Sequence, residues 1–478
     1  MSQQDKKKNK QFRQMIHAVQ WKIADPPVIK LKTDGSGTEQ EITIDAIVNS
    51  ASPDLMGGRK GTVDWEIHRL IDEKLRSKKK TFNQKICKEL AQGNERMRFK
   101  DKAVIKRVRC PRGQAVLTGG YGFCRYVIHA VGARYRDENI PESKRKRMFD
   151  TCCSSSIQTL ESCYHEIVKL IRLYPDIKNV AIPIMGSGHY GYKIEMAARI
   201  AVSSVVNELM DWKQSDTESF ETSELENIIF FVLEKEDQES IDSIIQEYLP
   251  IYERGHQVVF QSSFEAQEQY YNEILVHDEK RGYFAIAGLF RRMLLWVRMF
   301  FGILSNAAKE GIGKRDWQRR RMAVEVITVV KMLFPMIGFL IVHYSEAVRG
   351  THWACLIAGI LFYFMVDTVT YLAALLLMAD IQKPSANVIR SILLLLFNYV
   401  EVSLDMACFY YIRHSSRVSF WEAVEFGVLD KTALEGVAAN IPDIIITYGN
   451  IALKFFFLTL VFGYLVQHMH LRRFRGDV

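Results

Sequence analysis

Cysteine is sparse and unpatterned in this chain of 478 residues. There are eight, none in CxxC spacing, and Cys152-Cys153 is an adjacent pair with no partner in zinc-like register. That argues against a disulfide framework and against a metal site, and for reduced thiols as in a cytosolic domain. No apolar run follows Lys6 to Lys10, so no secretory leader is expected. A basic motif interleaved with aromatics is also missing, which sets nucleic acid aside as a partner. The net charge of +8 is modest and clustered, in MSQQDKKKNK and LRRFRG. Beside apolar spans such clusters mark the cytoplasmic face of a membrane.

What is present falls into two halves. Up to about Glu268 the chain is mixed in charge, and from Ala323 to Tyr464 long apolar runs dominate. Four of them, Ala323–Tyr344, Trp353–Ala379, Val388–Ile412 and Tyr448–His468, meet the roughly 20 residues a spanning helix needs. Lys314, Arg315, Arg319, Arg320 and Arg321 precede the first, and Arg472, Arg473 and Arg475 follow the last. An even number of spans puts both basic flanks on one side. The soluble half and the C-terminus are therefore expected in the cytoplasm, at the inner (plasma) membrane, with the lipid bilayer as a partner.

The spans carry charge. Lys331, Asp367, Glu401 and Asp405 are candidates for a membrane path, since intramembrane charges are costly and either pair or line a wet route. Lys331 pairing with Asp367 or Glu401 is the structural reading. Glu401 and Asp405, four apart on one helical face, read equally as structural or as lining for a cation. Val418–Thr447 loosely resembles the pore loop of two-span cation channels but lacks a TVGYG-type filter, and an external amphipathic loop explains it as well. Phe284–Leu304 is apolar but holds Arg291, Arg292 and Arg298, a pattern that suits an interfacial helix in the headgroup plane. The expected domains are a basic tail (1–27), an α/β domain (28–250), a connector with the interfacial helix (251–322), a four-helix transmembrane bundle (323–470) and a basic tail (471–478).

From about Val28 to Leu249 strand-like and helix-like segments alternate, which predicts a three-layer α/β/α sandwich with ligands at the carboxyl ends of its strands. Two glycine-rich connections sit there. The first, DAIVNSASPDLMGGRKGTVDWEIH, offers Asn49, Ser52, Gly57, Gly58, Gly61 and Asp64. The second, AIPIMGSGHYGY, offers Gly186, Ser187, Gly188, His189, Tyr190, Gly191 and Tyr192. Loops of this kind present backbone N–H groups to a diphosphate at a helix start. An Asn-turned, Asp-capped helix start accounts for either loop taken alone.

Together with GQAVLTGGYGFCRYVIHAVG and LESCYHEIVKL, the two loops resemble the macro domain, the ADP-ribose-binding fold. The resemblance implies that Gly57, Gly58 and Gly61 lie near the distal ribose and diphosphate. It also implies that Gly186 to Gly191 wrap the diphosphate from the other side and that Tyr192 packs over the ribose. His129 and His68 are expected to be packing residues. The family pattern usually reads Asn-Ala-Ala-Asn where this chain has Asn49-Ser50-Ala51-Ser52, and Ser52 in place of that second Asn counts against hydrolysis. No catalytic residue is therefore assigned. Arg59 and Lys60 stand in extra loop length and suit an added anionic group on the ligand. Asp34 is the candidate for the adenine-reading acid.

A macro domain fused to a membrane region resembles the membrane effectors of Thoeris-like bacterial antiphage systems. The resemblance implies a sensor of an NAD-derived nucleotide that gates permeability, a homo-oligomer, and a signal-producing enzyme as a further partner. The ligand is ADP-ribose or a derivative, and no cofactor is expected. A membrane-tethered ADP-ribosyl hydrolase and a docking module for ADP-ribosylated proteins are the alternatives.

Overall fold

The structure is a computed structural model that describes residues 12–32, 39–99, 102–135, 154–281, 285–345, 348, 352–378, 388–431 and 440–468. Asp34, Cys152-Cys153 and the basic ends (1–11 and 469–478) lie outside the described residues. The chain divides into two compact units. One comprises Met1–Glu273 with Arg315–Gln318, and the other Ile274–Lys314 with Arg319–Val478.

In the first unit the elements run α1 (Phe12–Met15), β1 (Ile16–Gln20), β2 (Val28–Lys32), β3 (Glu39–Thr43), β4 (Ala46–Ser50), α2 (Val63–Leu75), α3 (Phe82–Glu89), β5 (Gly93–Phe99), β6 (Lys102–Val108), β7 (Ala115–Gly119), β8 (Tyr126–Ala130), α4 (Ser154–Leu173), β9 (Asn179–Pro183), α5 (Ile194–Ser215), α6 (Thr217–Thr222), β10 (Asn227–Val232) and α7 (Lys235–Glu253). Six strands form one sheet in the order β1-β10-β9-β4-β8-β7. It is parallel except for β7, which runs antiparallel to β8.

Side chains alternate across a strand, so both faces of this sheet are apolar. Ile228 and Phe230 face α4, α5 and α7, while Ile229 and Phe231 face α2 and α3, giving two cores and three layers. Full burial of one such side chain is worth about 1.5–3 kcal/mol. The edge strand β1 lies upstream of residue 28, where the sequence reading began the domain. Its Ile16 to Gln20 pair in register with Ile228 to Val232, which draws the segment out of the tail. The run Ile42–Val48 divides between two strands. Glu39–Thr43 turns back on Val28–Lys32 as a hairpin, and only Ala46–Ser50 enters the sheet.

Part of the expected connector folds with this unit. Val258 forms a bridge with Asp316. Buried Asp316 accepts from Arg254 at 3.3 Å and lies 2.9 Å from His256 Nδ1. Two backbone bonds, Val259 N–H to Arg315 and Trp317 N–H to Gln257, complete the strap.

Beyond it come α8 (Ser263–Arg281), α9 (Ala285–Phe301), α10 (Ile303–Gly313), α11 (Trp317–Tyr344), α12 (His352–Leu377), α13 (Val388–His414), α14 (Phe420–Leu429) and α15 (Ile441–His468). Among the described residues four helices are long and apolar enough to cross a membrane: Trp317–Tyr344, His352–Leu377, Arg390–His414 and Ile441–Leu460. At 1.5 Å per residue each reaches the roughly 30 Å of a hydrocarbon core. The last helix begins earlier than the sequence suggested because Pro442 falls in its first turn, where a missing N–H breaks no helical bond.

The helix predicted to lie in the headgroup plane, α9, packs antiparallel along α12. Arg291 donates to the Leu377 carbonyl at 3.1 Å and pairs with Asp278 at 3.1 Å. Arg298 lies over the Tyr371 ring and Phe301 against Tyr363. Protein groups thus meet both of these arginines. In the segment 418–447, α14 is packed on α13: a Cβ at Gly427 would lie 2.2 Å from the Ser403 carbonyl.

Candidate functional site

Strands β4 and β9 are paired neighbours, with Ala46 opposite Val180 and Ile47 opposite Ala181, so the two glycine loops leave the same edge of the sheet side by side. Asn49 is the last inward residue of β4 before the first loop and is wholly buried. Its Nδ2 donates to Asp64 Oδ1 at 2.7 Å and lies 3.2 Å from His129 Nδ1. Because that donor faces Nδ1, the His129 proton sits on Nε2, which is 2.9 Å from Thr118 Oγ1. Burial, reinforced by His68 nearby, pushes the His129 imidazole down to about 3, against the pull of Asp64. It is a neutral ring that orients Asn49. His68 Nε2 approaches Asp64 Oδ1 at 3.3 Å, and Phe82 stacks between the two histidines.

The amide of Asn49 is thus fixed at its nitrogen, while its Oδ1 is buried with no partner. A buried unsatisfied acceptor costs about 1–3 kcal/mol and needs an explanation. Asp64 is buried as well, one residue inside α2, and the helix is capped by Thr62, which accepts from the Trp65 N–H at 3.2 Å. The expected Asp cap is therefore a Thr cap, and this frees Asp64 for Asn49.

Gly57 has φ +93°, a region that favours glycine, and a Cβ there would lie 3.5 Å from the His68 ring. Gly58 packs on Thr62 and Asp64, whereas Gly61, Arg59 and Lys60 are exposed. The Ser52 hydroxyl is committed locally, donating to Asp54 Oδ1 at 2.5 Å.

The second loop is held from behind. Gly186 has φ +91°, and a Cβ there would meet the Tyr192 ring at 2.7 Å, so only glycine fits. Tyr192 is buried, its N–H bonding the Gly186 carbonyl, and its ring meets Tyr135 edge-on. Tyr190 accepts from the Tyr135 N–H through its carbonyl at 2.8 Å. Ser187 donates to the Ile184 carbonyl at 2.9 Å, Tyr164 accepts from the Met185 N–H at 3.0 Å, and Gly188, His189 and Gly191 face solvent.

Tyr135, Tyr164, Thr118 and Phe82 were not foreseen as supports. Each comes from a distant element, and only the strand register, Val116 opposite His129 and Thr118 opposite Val127, brings Thr118 to the ring. Asp45 lies just before β4, where its carboxylate takes the Lys178 and Asn179 N–H groups.

In the helical unit Lys331 pairs with Asp367 at 2.5 Å and lies 3.3 Å from Thr368 Oγ1, which donates to Glu401 Oε1 at 2.9 Å. The Ser305 hydroxyl donates to the same Asp367 oxygen. Asp405 follows one turn after Glu401, fully buried.

The Macro domain profile matches residues 48–201, which spans both loops. A macro domain-containing protein of Xanthomonas axonopodis is 32% identical over 182 residues, 37% of this chain and 78% of that protein. An ADP-ribose glycohydrolase of Xenopus laevis is 32% identical over 170 residues, 35% of this chain but only 31% of its own length. Among solved structures, the Trypanosoma brucei macrodomain in complex with ADP-ribose is similar at 22% identity, covering 42% of this chain and 63% of that one, with a TM-score of 0.28. With a relative at this level of identity matched over 78% of its length, the chain belongs to the macro domain family.

Proposed function

We propose that the first unit binds ADP-ribose or a close derivative across the two glycine loops, and that binding biases the helical unit, embedded in a membrane, toward permeability. The observation that carries the binding reading is Asn49. Its amide is oriented by Asp64 and His129, and its free Oδ1 suits a ribose hydroxyl as donor. The exposed turn at Gly188 and His189, closed by the Gly191 N–H on the Gly188 carbonyl, suits a diphosphate, and Arg59 and Lys60 suit an added anion. The membrane reading draws on four long apolar helices with Lys331, Asp367, Glu401 and Asp405 turned inward. In this reading the protein sits in the inner membrane with both ends cytoplasmic and assembles as a homo-oligomer to enclose a path. It acts as an antiphage effector downstream of an enzyme that makes an NAD-derived signal. A ligand shifts such an equilibrium only by its differential affinity, about 1.4 kcal/mol for each tenfold preference.

Leakage from liposomes carrying the full-length protein, with and without ADP-ribose derivatives, tests the proposal. A ligand that binds yet leaves leakage unchanged would sink the gating step. The Asn49–Asp64 pair also favours a second reading, hydrolysis of an ADP-ribosyl bond at the membrane. Release of ADP-ribose from modified protein that vanishes in Asp64→Ala would establish it.

A further inference from the structure

Among the described residues of the helical unit, Arg291, Arg320, Lys331, Asp367 and Asp443 are buried in ion pairs. Lys331 and Asp367 neutralise each other at 2.5 Å. Glu401 and Asp405 remain, both with no exposed surface. Glu401 has one oxygen bonded to Thr368, and its other oxygen and both oxygens of Asp405 have no hydrogen-bond partner.

Lys331 of α11 is the cation that faces both carboxylates, and its ammonium is held by Asp367 and Thr368; the titratable groups of α14 and α15 are engaged elsewhere. On α14, Glu422 caps its own helix at Ser419 and Glu425 pairs with Lys431. On α15, Asp443 pairs with Arg413 and lies 3.4 Å from His414, and Lys454 reaches Asp430 at 3.7 Å. Cys408 is buried on the next turn of α13. Gly427 of α14 is seated on the Ser403 carbonyl, closing the turn that leads to Asp405.

We propose that Glu401 and Asp405 form a binding site for one proton, with Asp405 as the protonated member at neutral pH. An ionised carboxylate buried without a donor is held only at several kcal/mol, whereas a protonated one is neutral. A metal cation fits less well. Sodium, potassium or calcium ordinarily takes about six or more oxygens, and the orphaned set here is three. No group of three or more His, Cys, Asp or Glu among the described residues is arranged to hold a metal. On release the Asp405 proton passes to water as hydronium and leaves a carboxylate, so ionisation and hydration of this core are one event. Two carboxylates one turn apart then repel, which couples proton loss to loosening around α13. The inference stands apart from nucleotide gating, since it concerns the resting helical unit alone.

Infrared difference spectra of the full chain in nanodiscs, stepped from neutral to alkaline buffer without nucleotide, test it. The expected result is a protonated-carboxyl C=O band at neutral pH that is absent in Asp405→Asn, shifts in Glu401→Gln, and is indifferent to exchanging sodium for N-methylglucamine. A spectrum unchanged by Asp405→Asn would overturn the proposal, and so would a band that collapses on adding sodium or potassium at fixed pH. Failure of Asp405→Asn to fold would also overturn it, because an Asn amide matches a neutral carboxyl in size and charge.

Discussion

The two units treat buried polarity in opposite ways. The macro unit hides Asn49, Asp64, His68, Thr118 and His129 beneath an otherwise apolar sheet and joins Asn49, Asp64, Thr118 and His129 into one network in which Asn49 Oδ1 stays open. The helical unit turns Lys331, Asp367, Glu401 and Asp405 inward and presents Trp296, Ile337, Trp421 and Phe455 outward. Apolar surface of that extent belongs against lipid or a partner. The two patterns suit different surroundings. A water-facing domain needs its polar network satisfied except where a ligand completes it. A lipid-facing bundle has only its interior in which to place charge.

The contrast breaks most visibly at His129. Its folded value of about 3 lies below the ordinary 6.5, so the unfolded chain takes up a proton that the folded one refuses. Stability should therefore fall as pH drops below 6.5 and keep falling until about 3, by up to about 5 kcal/mol at 1.36 kcal/mol per pH unit. Denaturation midpoints of the macro unit in the full chain, followed against pH, check this. His129→Gln should flatten the slope, and an unchanged slope would mean that another group carries it.

In the helical unit the matching test is the Lys331–Asp367 pair. Lys331→Met or Asp367→Leu alone strands a buried charge and should cost about 3–5 kcal/mol, whereas the double replacement should recover most of that. Thermal melts in detergent distinguish the outcomes. Equal losses in single and double variants would place the pair in water, not in a dry interior.

Back in the macro unit, Asn49→Ala removes the open acceptor and leaves Asp64 without its donor. ADP-ribose affinity should fall roughly 10–100-fold, about 1–3 kcal/mol, by calorimetry. Unaltered affinity would remove the observation on which the binding proposal rests.

Much of this was legible from periodicity and glycine spacing. The alternation of strand-like and helix-like segments from about Val28 to Leu249 predicted the sandwich, and the sheet with its helical layers stands there. Legibility failed where long-range pairing decides. Ile16–Gln20 is a strand only because Ile228–Val232 lies beside it, and the packing of α9 on α12 rests on Leu377 and Tyr371, far along the chain. The histidines were read as packing, and packing they do, but their role as orienters of Asn49 depends on Thr118, 69 positions along the chain from Asn49.

The smallest expected effect concerns Ser52, which stands where the macro family usually has its second Asn. Its hydroxyl is taken up by Asp54 Oδ1, an oxygen that also lies 3.4 Å from the Met56 N–H, so it braces a local turn. Ser52→Ala should then cost about 0.5–1.5 kcal/mol of loop stability and change ADP-ribose affinity less than about threefold. A tenfold loss of affinity with unchanged stability would instead show that the hydroxyl leaves Asp54 to reach the ligand. In that case Ser52 does the work of the missing Asn, and the departure from the family pattern would no longer count against hydrolysis.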